Sequence, residues 1–323
     1  MRHFILLILT ILILGIGLSA QTPSKKAKEY LDKVITLIET NYYFIDSIDF
    51  VSVKNKAYAL ISNAKKGADT YNAIDTILKS LYERHNFFLR PQIMKKLDEI
   101  APLIYPTGKI IDNQIAYIKI PHMLGHIEYI QSWSDSLRNI YDGLQNPNIK
   151  GWIIDLRGNN GGAMGPMITG LYPFFGDTTI FTLKHRNGST SIYKFLNGYF
   201  TETKNSFDYG LMTYKKGLFN INKNKIAVLI DNKVGSSGEI TAIALRGLTN
   251  TKFFGVPTGG VPTSTRSYTL SDKAFIGFVE GVHFDRNGKE YTSSINPDVF
   301  VKQNKESIKD ETIQKAKEWL LEK

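Results

Sequence analysis

The 323-residue chain contains no cysteine. That excludes disulfide staples, thiolate metal sites, a catalytic thiol and a lipid-modified N-terminal cysteine. Charge of one sign does not dominate either: 40 Lys and Arg stand against 30 Asp and Glu, a formal net charge of +10. There is no dense basic block with interleaved aromatics, so nothing argues for nucleic acid as a partner. Internal repeats and low-complexity tracts are also missing, which removes solenoid and fibrous architectures. What remains is ordinary for a folded protein with a real core, at 42% hydrophobic and 22% charged residues.

Long apolar runs are scarce, and a single one comes near membrane length. Residues 4–18 are apolar except for Thr10 and two glycines; Met1-Arg2-His3 precedes them, and Ser19, Ala20 and a polar run follow. About 15 apolar residues fall short of the roughly 20 that a spanning helix needs. A positive start, an apolar middle and small residues at the end predict a secretory signal over 1–20, cut after Ala20. The mature chain is then expected to be exported, periplasmic or extracellular, with no stable membrane anchor.

Residues 21–90 read as a helical cap. Ala27, Leu31, Val34 and Ile38 share one helical face, residues 49–64 predict a second helix, and Ile74, Ile77, Leu78 and Leu81 a third. The period changes in 91–323. Ala116, Ile118 and Ile120 alternate as in a strand, and residues 127–144 form an amphipathic helix. Residues 151–156 and 226–230 are apolar runs suited to strands buried on both faces. Asn187-Gly188 marks a hairpin, and residues 252–256 a further strand. The expected fold class is α/β, an N-terminal helical bundle on a mixed-sheet core.

Candidate chemistry lies at two glycine turns and a histidine. Asp155-Leu-Arg-Gly-Asn-Asn-Gly-Gly162 follows a buried strand and precedes a helix, so its backbone N–H groups can face an anionic oxygen. It matches neither the P-loop nor the dinucleotide fingerprint. Val234-Gly-Ser-Ser-Gly-Glu239 again joins a strand to a helix, and there Ser236 or Ser237 is either a helix N-cap or a nucleophile. A nucleophilic serine needs a base. His185 is expected to be exposed, while His122 and His126 flank a loop. His85 stands at an expected helix end, where the macrodipole favours its charged form. No histidine cluster suggests a metal, and no cofactor is implied.

The order ERHNFF, IIDLRGNNGG, VLIDNKVGSSGEITAIAL, FFGVPTGGVPTSTRSYTLSD and INPD resembles the C-terminal processing (tail-specific) serine peptidases over essentially the whole mature chain. It is most similar to their tricorn-like branch, without the PDZ module. The resemblance implies a crotonase/ClpP-like ββα core and hydrolysis of unfolded or C-terminal protein segments. It implies Ser236 as nucleophile, with oxyanion donors at Ser237 and at Gly161 or Gly162. The lysine base of the tail-specific branch is replaced by Val261, so His85 is the implied base. The resemblance also implies a carboxylate, with a small hydroxyl residue, to orient the imidazole; the carboxylate falls among Glu290, Asp285 and Glu280, with Glu290 slightly ahead. Asp155, Arg157 and Asn159 read as scaffolding of the first turn, and Glu239 as an acid suited to its helix N-terminus. A peptide or protein substrate is the expected partner. Two other readings stay open: a catalytically inactive peptide- or lipid-binding protein on the same scaffold, and a crotonase-like enzyme acting on acyl thioesters.

Overall fold

The computed structural model describes residues 22–82, 84–93, 102–124, 127–203, 222–304 and 308–322. The expected secretory signal lies outside them.

The cap begins with helix Lys25–Asn41, whose N-terminus is closed by Ser24 accepting the Ala27 N–H. Its buried face is the one that the 3.6-residue period marks: Ala27, Leu31, Val34 and Ile38. The second helix, Phe50–Ala59, is capped by the Asp49 carboxylate and stops five residues short of the expected Ala64. Beyond it the chain tightens into three-residue turns, with N–H bonds from Leu60 to Ala57 and from Ile61 to Tyr58. These turns keep Ile61 and Ala64 buried without the helix. The third helix is Tyr71–Ser80.

These helices share their core with residues from elsewhere in the chain. Their apolar faces pack on Leu270, Ala274, Ile276 and Phe278. Tyr30 and Tyr71 both donate to the Asp272 carboxylate, at 2.7 and 2.5 Å.

Two sheets carry the remainder. One has six strands in the order Val299–Phe300, Thr251–Gly255, Lys225–Ile230, Gly151–Asp155, Ile115–Lys119 and Thr107–Ile111. All its neighbours run parallel except the last pair, so the mixed sheet expected from the sequence is present. The other is antiparallel and built around the long strand Phe275–Asp285, which pairs with Phe87–Leu89, Ser264–Thr269, Glu290–Tyr291 and Thr179–His185. The expected hairpin at Asn187-Gly188 joins Thr179–His185 to Thr190–Leu196 in that sheet.

The largest core includes the inner face of the six-stranded sheet together with helices Ile130–Leu144, Met164–Gly170 and Ser237–Arg246. Helix Glu311–Leu321 covers the outer face through Ala316 and Leu320.

Trp152 shows how tightly this core is made. It stacks on Tyr141 at 4.7 Å and meets the Phe174 ring edge-on at 5.2 Å. Trp152→Ala is expected to cost about 3–5 kcal/mol of unfolding free energy, read as a lowered urea midpoint. The same change at half-exposed Ile192 is expected to move the midpoint far less.

Candidate active site

Strands Gly151–Asp155 and Lys225–Ile230 are parallel neighbours, so the two glycine turns leave the same edge of the sheet side by side. Open α/β sheets place ligands at this carboxyl end of the strands. The first turn is anchored by buried Asn159. Its Nδ2 donates to the carbonyls of Ile120 and Pro121, and its Oδ1 accepts the Gly161 N–H at 3.0 Å. Asp155 and Arg157 form the expected scaffold. The pair is 2.7 Å apart, and Tyr117 and Lys119 also bond Asp155. Burial alone would raise the Asp155 pKa, but the Arg157 guanidinium and Lys119 hold it below the usual carboxylate range.

Both terminal glycines of this turn are demanded by close approach. A Cβ on Gly161 would lie 2.9 Å from Ser236 Cβ, and one on Gly162 only 1.8 Å from the Met123 carbonyl oxygen. Their φ angles of +112° and +106° also suit glycine alone.

Ser236 sits at the N-cap position of helix Ser237–Arg246, with φ 50° and ψ −123°. Its side chain makes no capping bond, which sets aside the cap reading for this residue. Ser236 Oγ instead lies 3.1 Å from His85 Nε2, and His85 Nδ1 lies 3.3 Å from Thr263 Oγ1. Ser237 Oγ donates to the Gly162 carbonyl at 2.6 Å, locking one turn to the other. The Gly161 N–H is committed to Asn159, whereas those of Gly162 and Ser237 have no acceptor among the described residues.

His85 does not end a helix. The preceding helix closes at Ser80, and His85 lies in the segment entering strand Phe87–Leu89. The expected dipole stabilisation of its charged form is therefore missing. Burial pushes the imidazole pKa down, and the Thr263 backbone offsets part of that. Asn86 fixes the adjoining chain by accepting the Val279 N–H.

The carboxylates expected to orient this ring do not reach it. Asp285 closes its own turn, accepting the N–H groups of Asn287 and Lys289 and the Tyr291 hydroxyl. Glu290 is exposed on a two-residue edge strand, and Glu280 is bonded by Tyr268. Thr263, a small hydroxyl residue, faces the ring at Nδ1, and no carboxylate bonds His85 among the described residues. His185 is bonded to Ser191 and partly covered rather than exposed, and His126 lies outside the described residues.

Glu239 does more than suit a helix N-terminus. It is fully buried and accepts from Thr258 Oγ1 and from the N–H groups of Gly260 and Val261 at 2.5, 2.9 and 2.8 Å. Burial raises its pKa against the pull of these donors and of the Ser236 N–H. Ser236-x-x-Glu239 is the spacing of a capping box, the one signal that could have pointed to this contact. His283 went equally unread. Its Nδ1 pairs with the Pro262 carbonyl at 2.9 Å, and burial pushes its pKa down to about 4.

A model of Peptidase family S41 matches residues 114–301, more than half the chain, and that span holds Ser236, both glycine turns and Thr263. The chain belongs to peptidase family S41. His85 precedes the matched span of S41. A relative from Lactococcus lactis subsp. lactis, named nisin-resistance protein, is 31% identical over 265 residues, 82% of this chain and 80% of its own. A solved lipoprotein from Streptococcus agalactiae is similar in fold, with TM-score 0.76 and 22% identity over 92% of this chain and 96% of its own. The photosystem II D1 C-terminal processing protease shares the fold at TM-score 0.59 and 11% identity, covering 86% of this chain and 94% of its own. Among the described residues, no helix is long and apolar enough to cross a membrane, and no group of three or more His, Asp or Glu could hold a metal.

Glu239→Gln would turn an amide N–H toward backbone donors. We expect a loss of about 2–3 kcal/mol of stability, measured by urea unfolding.

The titration of His283 has a defined sign. Its pKa lies near 4 folded and near 6.5 unfolded, so the unfolded chain binds the extra proton. This contribution to stability is complete above pH 6.5 and falls as pH drops toward 4, by about 3 kcal/mol in all. His283→Asn, which keeps a donor for Pro262, is expected to flatten that part of the stability profile.

Proposed function

We propose that the chain is an exported serine endopeptidase in which Ser236 is the nucleophile and His85 the general base. The observation that carries this reading is the 3.1 Å approach of Ser236 Oγ to His85 Nε2, beside two open backbone N–H groups. In this reading the ring carries its proton on Nδ1, toward the Thr263 oxygens, and Nε2 keeps its lone pair. Nε2 takes the hydroxyl proton as Oγ bonds to the peptide carbonyl carbon. The carbonyl oxygen becomes an anion held by the N–H groups of Gly162 and Ser237. His85 then returns the proton to the departing amine as the C–N bond breaks. Water repeats the sequence on the acyl-enzyme, with His85 again taking and returning the proton.

Export is supported by the signal pattern over 1–20 and agrees with the Streptococcus neighbour being a lipoprotein. A peptide as the substrate is supported by membership of peptidase family S41. The competing reading, an inactive peptide- or lipid-binding member, is motivated by the missing lysine and by the absence of a carboxylate bonded to His85 among the described residues.

Fluorophosphonate labelling and turnover of unfolded peptides separate the two. Wild type is expected to label and cleave, while Ser236→Ala and His85→Ala lose at least about a thousandfold in kcat. Since burial lowers the His85 pKa, the acid limb of kcat/KM should inflect below the ordinary histidine value of 6.5. Full activity in Ser236→Ala, or no labelling of the wild type, ends the peptidase reading.

A further inference from the structure

The cavity beside Ser236 has a volume of about 760 Å³ and reaches from His85 to His283. That is room for more than the scissile bond. Ile130, Met164, Pro166 and Ile240 give it apolar walls that suit a run of methylenes. The chain carries 40 lysines and arginines, yet none lines this cavity among the described residues. Glu128 does line it.

The polar atoms on its walls point the same way. Inner His283 is only 2% exposed, and its Nδ1–H is spent on the Pro262 carbonyl. Nε2 is therefore an acceptor with no hydrogen-bond partner among the described residues, on a ring that lines the cavity. Its depressed pKa keeps the ring neutral, so it does not repel a cation. Gln131 donates through Nε2 to Asp135, which fixes its amide and leaves Oε1 buried with no donor. An unsatisfied buried acceptor costs free energy until a donor arrives.

From these features we infer that the cavity selects a peptide residue with a cationic, donor-bearing side chain, lysine or arginine. The inference rests on the peptidase reading of Ser236 and His85. The stem of such a residue would lie along the apolar wall, and its N–H groups would supply the donor that His283 Nε2 lacks. Glu128 would add charge complementarity. Norleucine matches the stem but leaves that acceptor unmet, and glutamate brings only more acceptors and a like charge.

Binding is measured on full-length Ser236→Ala, so that no result depends on turnover. The probes are three fluorescein-labelled, alanine-rich decapeptides that differ only at a central lysine, norleucine or glutamate. The lysine peptide is expected to bind roughly tenfold more tightly than the norleucine peptide, with glutamate weakest. Adding Glu128→Gln, an exposed site, should shrink the lysine preference to less than about threefold. Equal binding of lysine and norleucine, tighter binding of either comparator, or no binding of any probe overturns the inference. An undiminished preference in Glu128→Gln does the same. If the lysine preference holds while wild type cleaves none of the peptides, the peptidase reading falls and the cation pocket stands.

Discussion

Glu239 is fully buried, and a carboxylate survives there only because donors converge on it: the Thr258 hydroxyl and the N–H groups of Gly260, Val261 and Ser236. Desolvating such a group costs several kcal/mol unless its lone pairs are met. The donors come from two loops, one carrying Ser236 and the other leading to Thr263. Thr258 Oγ1 also accepts the Ile295 N–H, which ties in the closing Asn-Pro-Asp segment. The carboxylate therefore fixes the distance between the serine turn and the threonine that faces the histidine. Those two stretches share no strand pairing, so the distance depends on this contact, on the Gly259 N–H bond to the Val234 carbonyl and on the packing around them.

The imidazole is held from the other side by the antiparallel sheet. Strand Phe275–Asp285 pairs with Phe87–Leu89 and with Ser264–Thr269 at the same residue, Gly277, and so brings the segments of His85 and Thr263 toward each other. His283, on that strand, bonds the carbonyl just before Thr263. A hydroxyl holds the ring's orientation but, able to donate or accept, does not fix its tautomer as a carboxylate does. It supplies less stabilisation to an imidazolium, because no full negative charge lies nearby. The consequence is an imidazole whose neutral form burial favours, with its charged state supported mainly by the Thr263 oxygens.

Much of this was legible where residues act through their own local pattern. The strands around 151–155 and 226–230 read clearly because parallel strands buried on both faces are unbroken apolar runs. The glycine turns read clearly because glycine marks backbone crowding, as the contacts of Gly161 and Gly162 show. The end of the third cap helix did not, since Leu81 continues the apolar period while its backbone is already extended at ψ 144°. The orienting group was illegible for a different reason. Sequence distance from the closing segment made Glu290 and Asp285 attractive, yet a hairpin carries neighbouring side chains to opposite faces, and Asp285 is consumed by its own turn. Thr263 gives no signal in the sequence, because a buried threonine looks the same whatever it faces.

The Ser-x-x-Glu spacing also explains how a residue read as a cap becomes free for chemistry. In a full capping box, serine bonds the N–H of the third helical residue while the glutamate reaches back to the serine N–H. Here only the backward half is present: Glu239 meets the Ser236 N–H, and Ser236 Oγ turns to His85. Forgoing the forward bond costs about 1 kcal/mol. A positive φ on a residue with a Cβ costs about 1–3 kcal/mol more. Glycine at 236 would relieve the backbone strain, and a relaxed serine would recover the cap. The observed geometry does neither, and what it gains is a hydroxyl held against an imidazole at the open end of the sheet.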